Sequence, residues 1–550
     1  MAFNVDYTVW RSVWEKEYTL TRQLYRMLKK FADKTAIIDP LTGKELTYQQ
    51  WNDQSNQFAN ALIEQGMGPG DVCMANLFNC SEWFIVYMGC AKARAILPLL
   101  NMMLPEGQLC KLIDDGEPTV LVYDSALKDR CVAAVDLAEK KPKLGIMIGE
   151  GDLPEGHVSL EQFIEGKSTE APPCEADVRW DDAFLGLYTS GTTGLPKGFT
   201  LNHAIIFFDD MMNAAMESID STSVMLATNP LFHRGGNTTG VLNVLHQGGT
   251  IVVMRSFDDN LALDYIEKYK VSHMVSAPVI YEMMTNNQEK NPRDVSSLRR
   301  LVSMGAPLAP DSCLRMMEHL CPGVMNGYGT ADGHWVTMIM PWELPEQAGT
   351  IGRPIAEDEA VVVRIDMDEP GDPNNPDHWC PKDSETEGEI CLRTMHSPYG
   401  YHNRPQDTAK AFPFPGWQKT GDTAVWDTDG FIKISGRMDD MIITGAENVH
   451  PVLVENVIME HQDVIDVFVT GAPSQKWGET VVAYVALKEG VQVTDKDMEE
   501  FCTNHPGLAR YQRPRAYIFV PKEELPYNPA GKKLHYVIKE RAAKDFATVA

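Results

Sequence analysis

Strand-like and helix-like segments alternate along most of this chain, and that alternation constrains the fold more than any other feature. The pattern is clearest from Phe184 to Gly329. Phe184–Tyr188 is short and apolar, His203–Ser218 has helical length behind Asn202 as N-cap, and Val224–Ala227 and Thr250–Met254 read as strands. Asp259–Lys270 reads as a helix, with strands at Val271–Ser276 and Leu298–Met304. Upstream, Asp71–Phe78 and Thr119–Tyr123 read as strands around a helix at Ser81–Ala95, capped by Ser81. Repeated β-α-β units imply mostly parallel sheets covered by helices on both faces. The predicted class is α/β.

The rhythm changes twice. From Val361 to Ser435 short strands (Val361–Ile365, Glu389–Arg393, Phe431–Ser435) are separated by Pro, Gly and Asp, which predicts a small β-subdomain. Beyond Gly436, helices at Pro451–Glu460 and Lys496–Asn504 and strands at Val464–Val469, Thr480–Leu487 and Ala516–Val520 predict an α+β domain of about 110 residues. The expected division is a large domain over 1–437 and a small, mobile one over 438–550, since 550 residues exceed one globular unit.

Forty-nine basic against 77 acidic residues give a net charge of −28, with no basic run. Such a chain repels nucleic acid. The N-terminus lacks the basic and apolar regions of a signal peptide, and no apolar stretch approaches the ~18 residues of an integral membrane segment. Eleven scattered cysteines, none spaced Cys-x-x-Cys, suit reduced thiols. The expected setting is cytoplasmic.

The segment Tyr188-Thr-Ser-Gly-Thr-Thr-Gly-Leu-Pro-Lys-Gly198 follows a strand and is expected to precede a helix. Its glycines let backbone N–H groups close around an anion, while hydroxyls and Lys197 add donors and charge. It reads as a polyphosphate grip. It is not the Walker pattern, because Pro196 stands where that pattern needs Gly.

Five further motifs follow: Ser303-Met-Gly-Ala-Pro307, Asn326-Gly-Tyr-Gly-Thr-Ala-Asp332, Thr420-Gly-Asp422, Gly436-Arg-Met-Asp-Asp-Met-Ile442 and Pro529-Ala-Gly-Lys-Lys533. In this order, across nearly the whole chain, they resemble the adenylate-forming superfamily, which includes AMP-forming acyl- and aryl-CoA synthetases, luciferases and peptide-synthetase adenylation domains. The Gly436–Val454 region and Trp477 are most similar to benzoate- and halobenzoate-type CoA ligases. The resemblance implies two steps: a carboxylic acid reacts with ATP to give an acyl-adenylate and pyrophosphate, and a thiol then displaces AMP.

It further implies roles for individual residues. Thr189, Ser190, Gly191, Thr192, Thr193, Gly194 and Lys197 surround the β- and γ-phosphates. Gly305, Ala306 and Pro307 flank the adenine and Tyr328 stacks on it, beside Gly329 and Thr330. Asp422 takes the ribose hydroxyls, with Arg437 reaching the same sugar. Thr192 and Asp332 meet Mg²⁺, and Lys532 neutralises the carboxylate and α-phosphate. The family's usual Thr-Glu pair is here Ala331-Asp332, which removes one hydroxyl and shortens the carboxylate arm by a methylene.

Asp439 matches the family's hinge, about which the small domain would turn to present Gly445 and Ala446 to a pantetheine arm. Trp477 is placed to stack on the coenzyme A adenine, and Arg513 and Arg515, in Arg510-Tyr-Gln-Arg-Pro-Arg515, to seat its phosphates. Pro230-Leu-Phe-His-Arg-Gly-Gly-Asn237 resembles the segment beside the substrate carboxylate, with His233 as gate or pocket wall. Arg234, Gly235, Gly236, Gly327, Gly333, His334 and Trp335 are expected to border the acyl tail, the glycines leaving room and Arg234 or His334 meeting a polar group. The expected ligands are ATP, Mg²⁺, coenzyme A and an aryl, alicyclic, medium-chain or polar carboxylic acid, and size and the family habit suggest a homodimer. Two alternatives stay open: loading of a carrier protein instead of free coenzyme A, and a non-catalytic nucleotide or acyl-adenylate sensor, motivated by Ala331 and Asp332.

Overall fold

A computed structural model describes residues 7–189, 196–355, 358–367, 369–444, 447–474, 476–527 and 533–546. The expected α/β class is what it contains. A nine-stranded sheet runs in the order Arg353–Pro354, His334–Ile339, Val324–Thr330, Arg300–Met304, His273–Ser276, Val224–Ala227, Thr250–Val253, Thr35–Asp39, Lys44–Thr47. Its six central strands are parallel, and antiparallel strands close both edges. A second, parallel sheet joins Cys73–Asn76, Val120–Asp124, Leu144–Ile148 and Val158–Ser159. The all-apolar strands Ile251–Val253 and Met225–Ala227 are buried on both faces, as parallel strands under two helical layers must be.

Helix His203–Glu217 begins at Asn202, whose side chain accepts from Ile205 N at 2.8 Å. Ser81 is not the cap expected of it. The helix Ser81–Ala93 starts one residue earlier at Cys80 with no capping side chain, and the Ser81 hydroxyl donates to Glu82. Burial explains why the helix forms without one, since every residue in it is buried.

The segment Lys197–Asn202 is a strand, not the start of a helix. It pairs antiparallel with Ala183–Thr189, with Thr189 opposite Lys197 and Tyr188 opposite Gly198. Phe199 and Leu201 point inward at a period of two, which is the strand signature the glycine-rich run obscured.

The β-subdomain is an antiparallel sheet of Glu359–Arg364, Gly388–Arg393, Gln418–Trp426 and Ile432–Arg437. Residues from Ile442 onward build their own five-stranded sheet and two cores that draw on no earlier residue. All eleven cysteines are free. Among the described residues no helix is long and apolar enough to cross a membrane.

Candidate active site

The parallel strands of the large sheet end on one edge, where backbone turns are free to meet a ligand. Strand Arg300–Met304 releases Gly305, Ala306 and Pro307 as an exposed turn, and Gly305 takes φ +81°, a left-handed conformation that favours glycine. The neighbouring strand Val324–Thr330 carries Tyr328, Gly329 and Thr330. A Cβ on Gly329 would lie 1.6 Å from His334 O, so the hairpin into His334–Ile339 closes only over a glycine.

Tyr328 donates its hydroxyl to Asp422 Oδ2 at 2.6 Å, and Arg437 Nη1 donates to Asp422 Oδ1 at 2.9 Å. Burial and the adjacent carboxylate hold the phenol well above its usual range, so it remains a donor. The ring expected against adenine is thus anchored at its edge. Each Asp422 oxygen keeps a second lone pair for a further donor.

Lys197 Nζ lies 2.7 Å from Asp407 Oδ1 and 5.4 Å from the centre of the Tyr401 ring. The Tyr401 hydroxyl donates to Asp332 Oδ2. Gln418 Nε2 donates to Asp332 Oδ1 at 2.8 Å and to Thr330 Oγ1 at 3.1 Å. Lys197, Asp332 and Thr330, expected from separate motifs, are therefore linked through Tyr401 and Gln418. Sequence reading missed Tyr401, Asp407 and Gln418; the only signal was that Gln418 shares a strand face, at a period of two, with Thr420 and Asp422. Ser190, Gly191, Thr192, Thr193, Gly194, Gly445, Ala446 and Lys532 lie outside the described residues.

His233 is exposed, and its Nδ1 accepts from Gly235 N at 3.2 Å. The other acyl-tail expectations need correction. Arg234 is buried: Nη2 reaches Asp209 Oδ2 at 2.7 Å and His396 O at 2.8 Å, and Nη1 reaches Ala331 O at 3.1 Å. His334 is buried too, with Nδ1 3.6 Å from Asp209 Oδ2, and burial together with the Arg234 charge pushes its pKa well below the usual value. Burial pushes the Asp209 carboxyl up, but Arg234, His334 and His396 outweigh it and hold the group well below the usual range. Arg234, His334 and His396 gather round Asp209 because a buried carboxylate requires such partners, while Arg234 Nε and His334 Nε2 are buried without a hydrogen bond among the described residues.

The glycines do not leave open space either. A Cβ on Gly235 would meet Met304 Cε at 2.6 Å, and one on Gly327 would lie 3.4 Å from the Trp335 ring. Gly236 packs its Cα face on Pro230 O, and Gly333 faces Gln418 and Thr330 on the phosphate side. Large neighbours fill what the missing side chains vacate.

In the C-terminal region Trp477 is half-buried between Lys476 Nζ, 4.7 Å from its ring centre, and Arg515 Cζ, at 5.3 Å. Arg513 Nη2 bonds Leu508 O at 3.5 Å. Asp439 sits exposed in the turn Met438–Asp440, with Lys410 Nζ 4.0 Å away.

Comparison with known proteins places this constellation. The AMP-binding enzyme family matches residues 24–402, and the AMP-binding enzyme C-terminal domain matches residues 453–532. The chain belongs to this family, within the adenylate-forming superfamily, and by class it is an ATP-dependent acid–thiol ligase. It is similar to 4-hydroxybutyrate–CoA ligase 2 of Metallosphaera sedula, 30% identical over 545 residues covering 96% of this chain and 95% of that one. It is likewise similar to the fatty acid–[acyl-carrier-protein] ligase ScoC of Streptomyces coeruleorubidus, 30% identical over 513 residues covering 92% and 93%. The crystal structure of the anthranilate CoA ligase AuaEII with anthranoyl-AMP shares the fold, with a TM-score of 0.83 at 24% identity, covering 97% of this chain and 98% of that one.

Proposed function

We propose that the protein is an AMP-forming acid–CoA ligase that activates a compact carboxylic acid. The observation that carries this reading is the Tyr328–Asp422–Arg437 cluster beside the carboxyl end of the parallel strand Val324–Thr330, which also carries Thr330 and leads into Asp332. An anchored aromatic ring, a carboxylate with free lone pairs and a row of phosphate donors suit an adenosine followed by phosphates.

In the first step a carboxylate oxygen of the acid attacks the α-phosphorus of ATP, and the bond to the bridging oxygen of pyrophosphate breaks. The obstacle is an anion approaching a polyanion, so fixed cations and donors dominate. Lys197 exchanges its Asp407 partner for phosphate oxygens, and Lys532 neutralises charge at the carboxylate and α-phosphate. In the second step the thiol of coenzyme A attacks the acyl carbon, AMP leaves and the thiol proton goes to solvent. Asp439 is the hinge between domains 1–437 and 438–550, and its side chain is exposed.

Mg²⁺ fits the residues present. Asp332 is a hard oxygen ligand with a lone pair left on each oxygen. Among the described residues no group of three or more His, Cys, Asp or Glu forms a protein cage. That suits an ion that takes one or two carboxylates and fills its shell with phosphate and water. When bound, the ion supplies neutralisation of phosphate charge.

Met304 and Trp335 closing over Gly235 and Gly327 favour a compact acid, whether aryl, alicyclic or a short polar chain like the 4-hydroxybutyrate of the archaeal relative. Likeness to the carrier-protein ligase supports a second reading, in which the acyl group goes to a carrier's pantetheine. Acid-dependent ATP–pyrophosphate exchange tests the first step, and thioester formation with coenzyme A against an acyl carrier separates the two readings. Absence of exchange over aryl, alicyclic, fatty and dicarboxylic acids would refute both.

A further inference from the structure

Gln418 opens the strand Gln418–Trp426, and its side chain is buried, with 3% of the residue exposed. A side-chain amide nitrogen carries two protons. Here one goes to Asp332 Oδ1 at 2.8 Å and the other to Thr330 Oγ1 at 3.1 Å. The amide is therefore committed to these two groups.

The turn Thr330–Gly333 is shaped around that amide. Gly333 N donates to Thr330 Oγ1 at 2.8 Å, and a Cβ on Gly333 would stand 2.4 Å from Gln418 Oε1 and 2.6 Å from Thr330 Oγ1. The second oxygen of Asp332 accepts from Tyr401, so donors on two other segments hold both ends of the carboxylate. Within the turn, Ala331 contributes no polar side-chain group. The orientation of Asp332 thus comes from outside its own turn. A carboxylate fixed in this way has its rotamer selected before any ligand arrives, which removes an ordering cost from binding.

We propose that Gln418 is a positioning residue of the adenylation site, setting Asp332 in the orientation that receives the cation of the nucleotide phosphates. This rests on the reading of the site given above. Gln418 touches neither nucleotide nor acid; it acts through Asp332.

The experiment compares the full-length protein with Gln418→Leu, Asp332→Asn and the double variant. ATP affinity is titrated calorimetrically in Mg²⁺ and in EDTA, and thermal melting of the unliganded proteins is recorded. Magnesium is expected to tighten ATP binding in the wild type, and Gln418→Leu is expected to lose about tenfold of that gain, as for one hydrogen bond to a charged group. Affinity in EDTA should hold. Asp332→Asn should lose at least as much, and adding Gln418→Leu to it should change nothing further. Pyrophosphate exchange in Gln418→Leu should fall in kcat with the KM for the acid unchanged.

Equal weakening with and without Mg²⁺, or additive losses in the double variant, would overturn the inference by making Gln418 a structural residue only. So would a Gln418→Leu protein with the wild type's magnesium response, or a wild type whose ATP binding ignores Mg²⁺. A wild type that binds no ATP under either condition would sink the adenylation reading itself, which is a different result.

Discussion

Asp422 and Arg437 stand directly opposite each other on neighbouring antiparallel strands, Arg437 Nη1 2.9 Å from Asp422 Oδ1. The pairing puts the expected ribose acceptor in contact with the residue that ends the strand Ile432–Arg437, two positions before Asp439. Nucleotide grip and proposed hinge are thus neighbours. Asp422→Asn keeps the shape but replaces one acceptor oxygen with a donor facing Arg437 or Tyr328. The expected result is a rise in KM for ATP of about 30-fold, roughly 2 kcal/mol for lost bonds to a charged group. The KM for the acid should stay unchanged in steady-state assays.

The Arg234–Asp209 pair predicts a stability effect and not a specificity effect. Both side chains are almost wholly buried, with Asp209 also 2.6 Å from His396 Nδ1. Arg234→Met removes the permanently charged partner of a buried carboxylate and leaves it to two histidines, which costs about 3–5 kcal/mol. Adding Asp209→Leu should recover part of the loss, because no uncompensated charge remains. Chemical denaturation of both variants measures this; equal loss in the double variant would mean the pair is not coupled.

How much of this was legible follows from where the information sits. The nucleotide motifs could be read because backbone approach and phosphate charge demand particular residues at short spacing, as at Gly305 and in Thr420-Gly421-Asp422. The β-α-β rhythm was legible because buried parallel strands are continuous apolar runs. What failed was contact between distant segments. Arg234 next to His233 looked like a ligand group until Asp209, 25 residues away, was found beneath it. Gly235 and Gly327 looked like room until Met304 and Trp335 filled it. Tyr401 carries no local signature and Gln418 only a strand face shared with Thr420 and Asp422, since their role exists only once strand and loop meet Asp332.

Buried histidines contribute to the acid limb of stability. Burial lowers His203 and His273 each from 6.5 to about 4. The unfolded chain then takes up protons below pH 6.5, whereas the folded one does so only near pH 4. Stability should therefore rise with pH across that window, by up to ~3 kcal/mol per histidine. His396 has the opposite sign. Burial lowers it, but Asp209 outweighs burial and raises it, so its contribution is present below pH 6.5 and lost as pH rises through the folded value. Denaturant midpoints measured across pH should show a flatter acid limb in His203→Asn and a flatter alkaline limb in His396→Gln.

Different residues of the small domain should fail in different half-reactions. In the proposed function Lys532 acts in the first step, where charge accumulates at the α-phosphate. Lys532→Ala is expected to cut pyrophosphate exchange at least 100-fold, as loss of a transition-state donor does. Chemically prepared acyl-adenylate should still be converted to thioester at near wild-type rate. Arg515 flanks Trp477. Replacing Arg513 and Arg515 together by Ala should raise the KM for coenzyme A about tenfold, the effect of losing two charge contacts to phosphate, while pyrophosphate exchange is preserved. The two defects are separable only if one domain serves both steps in turn. If the arginine variant uses coenzyme A as well as the wild type does, the acyl acceptor is a carrier protein, and the pantetheine arm alone carries the recognition.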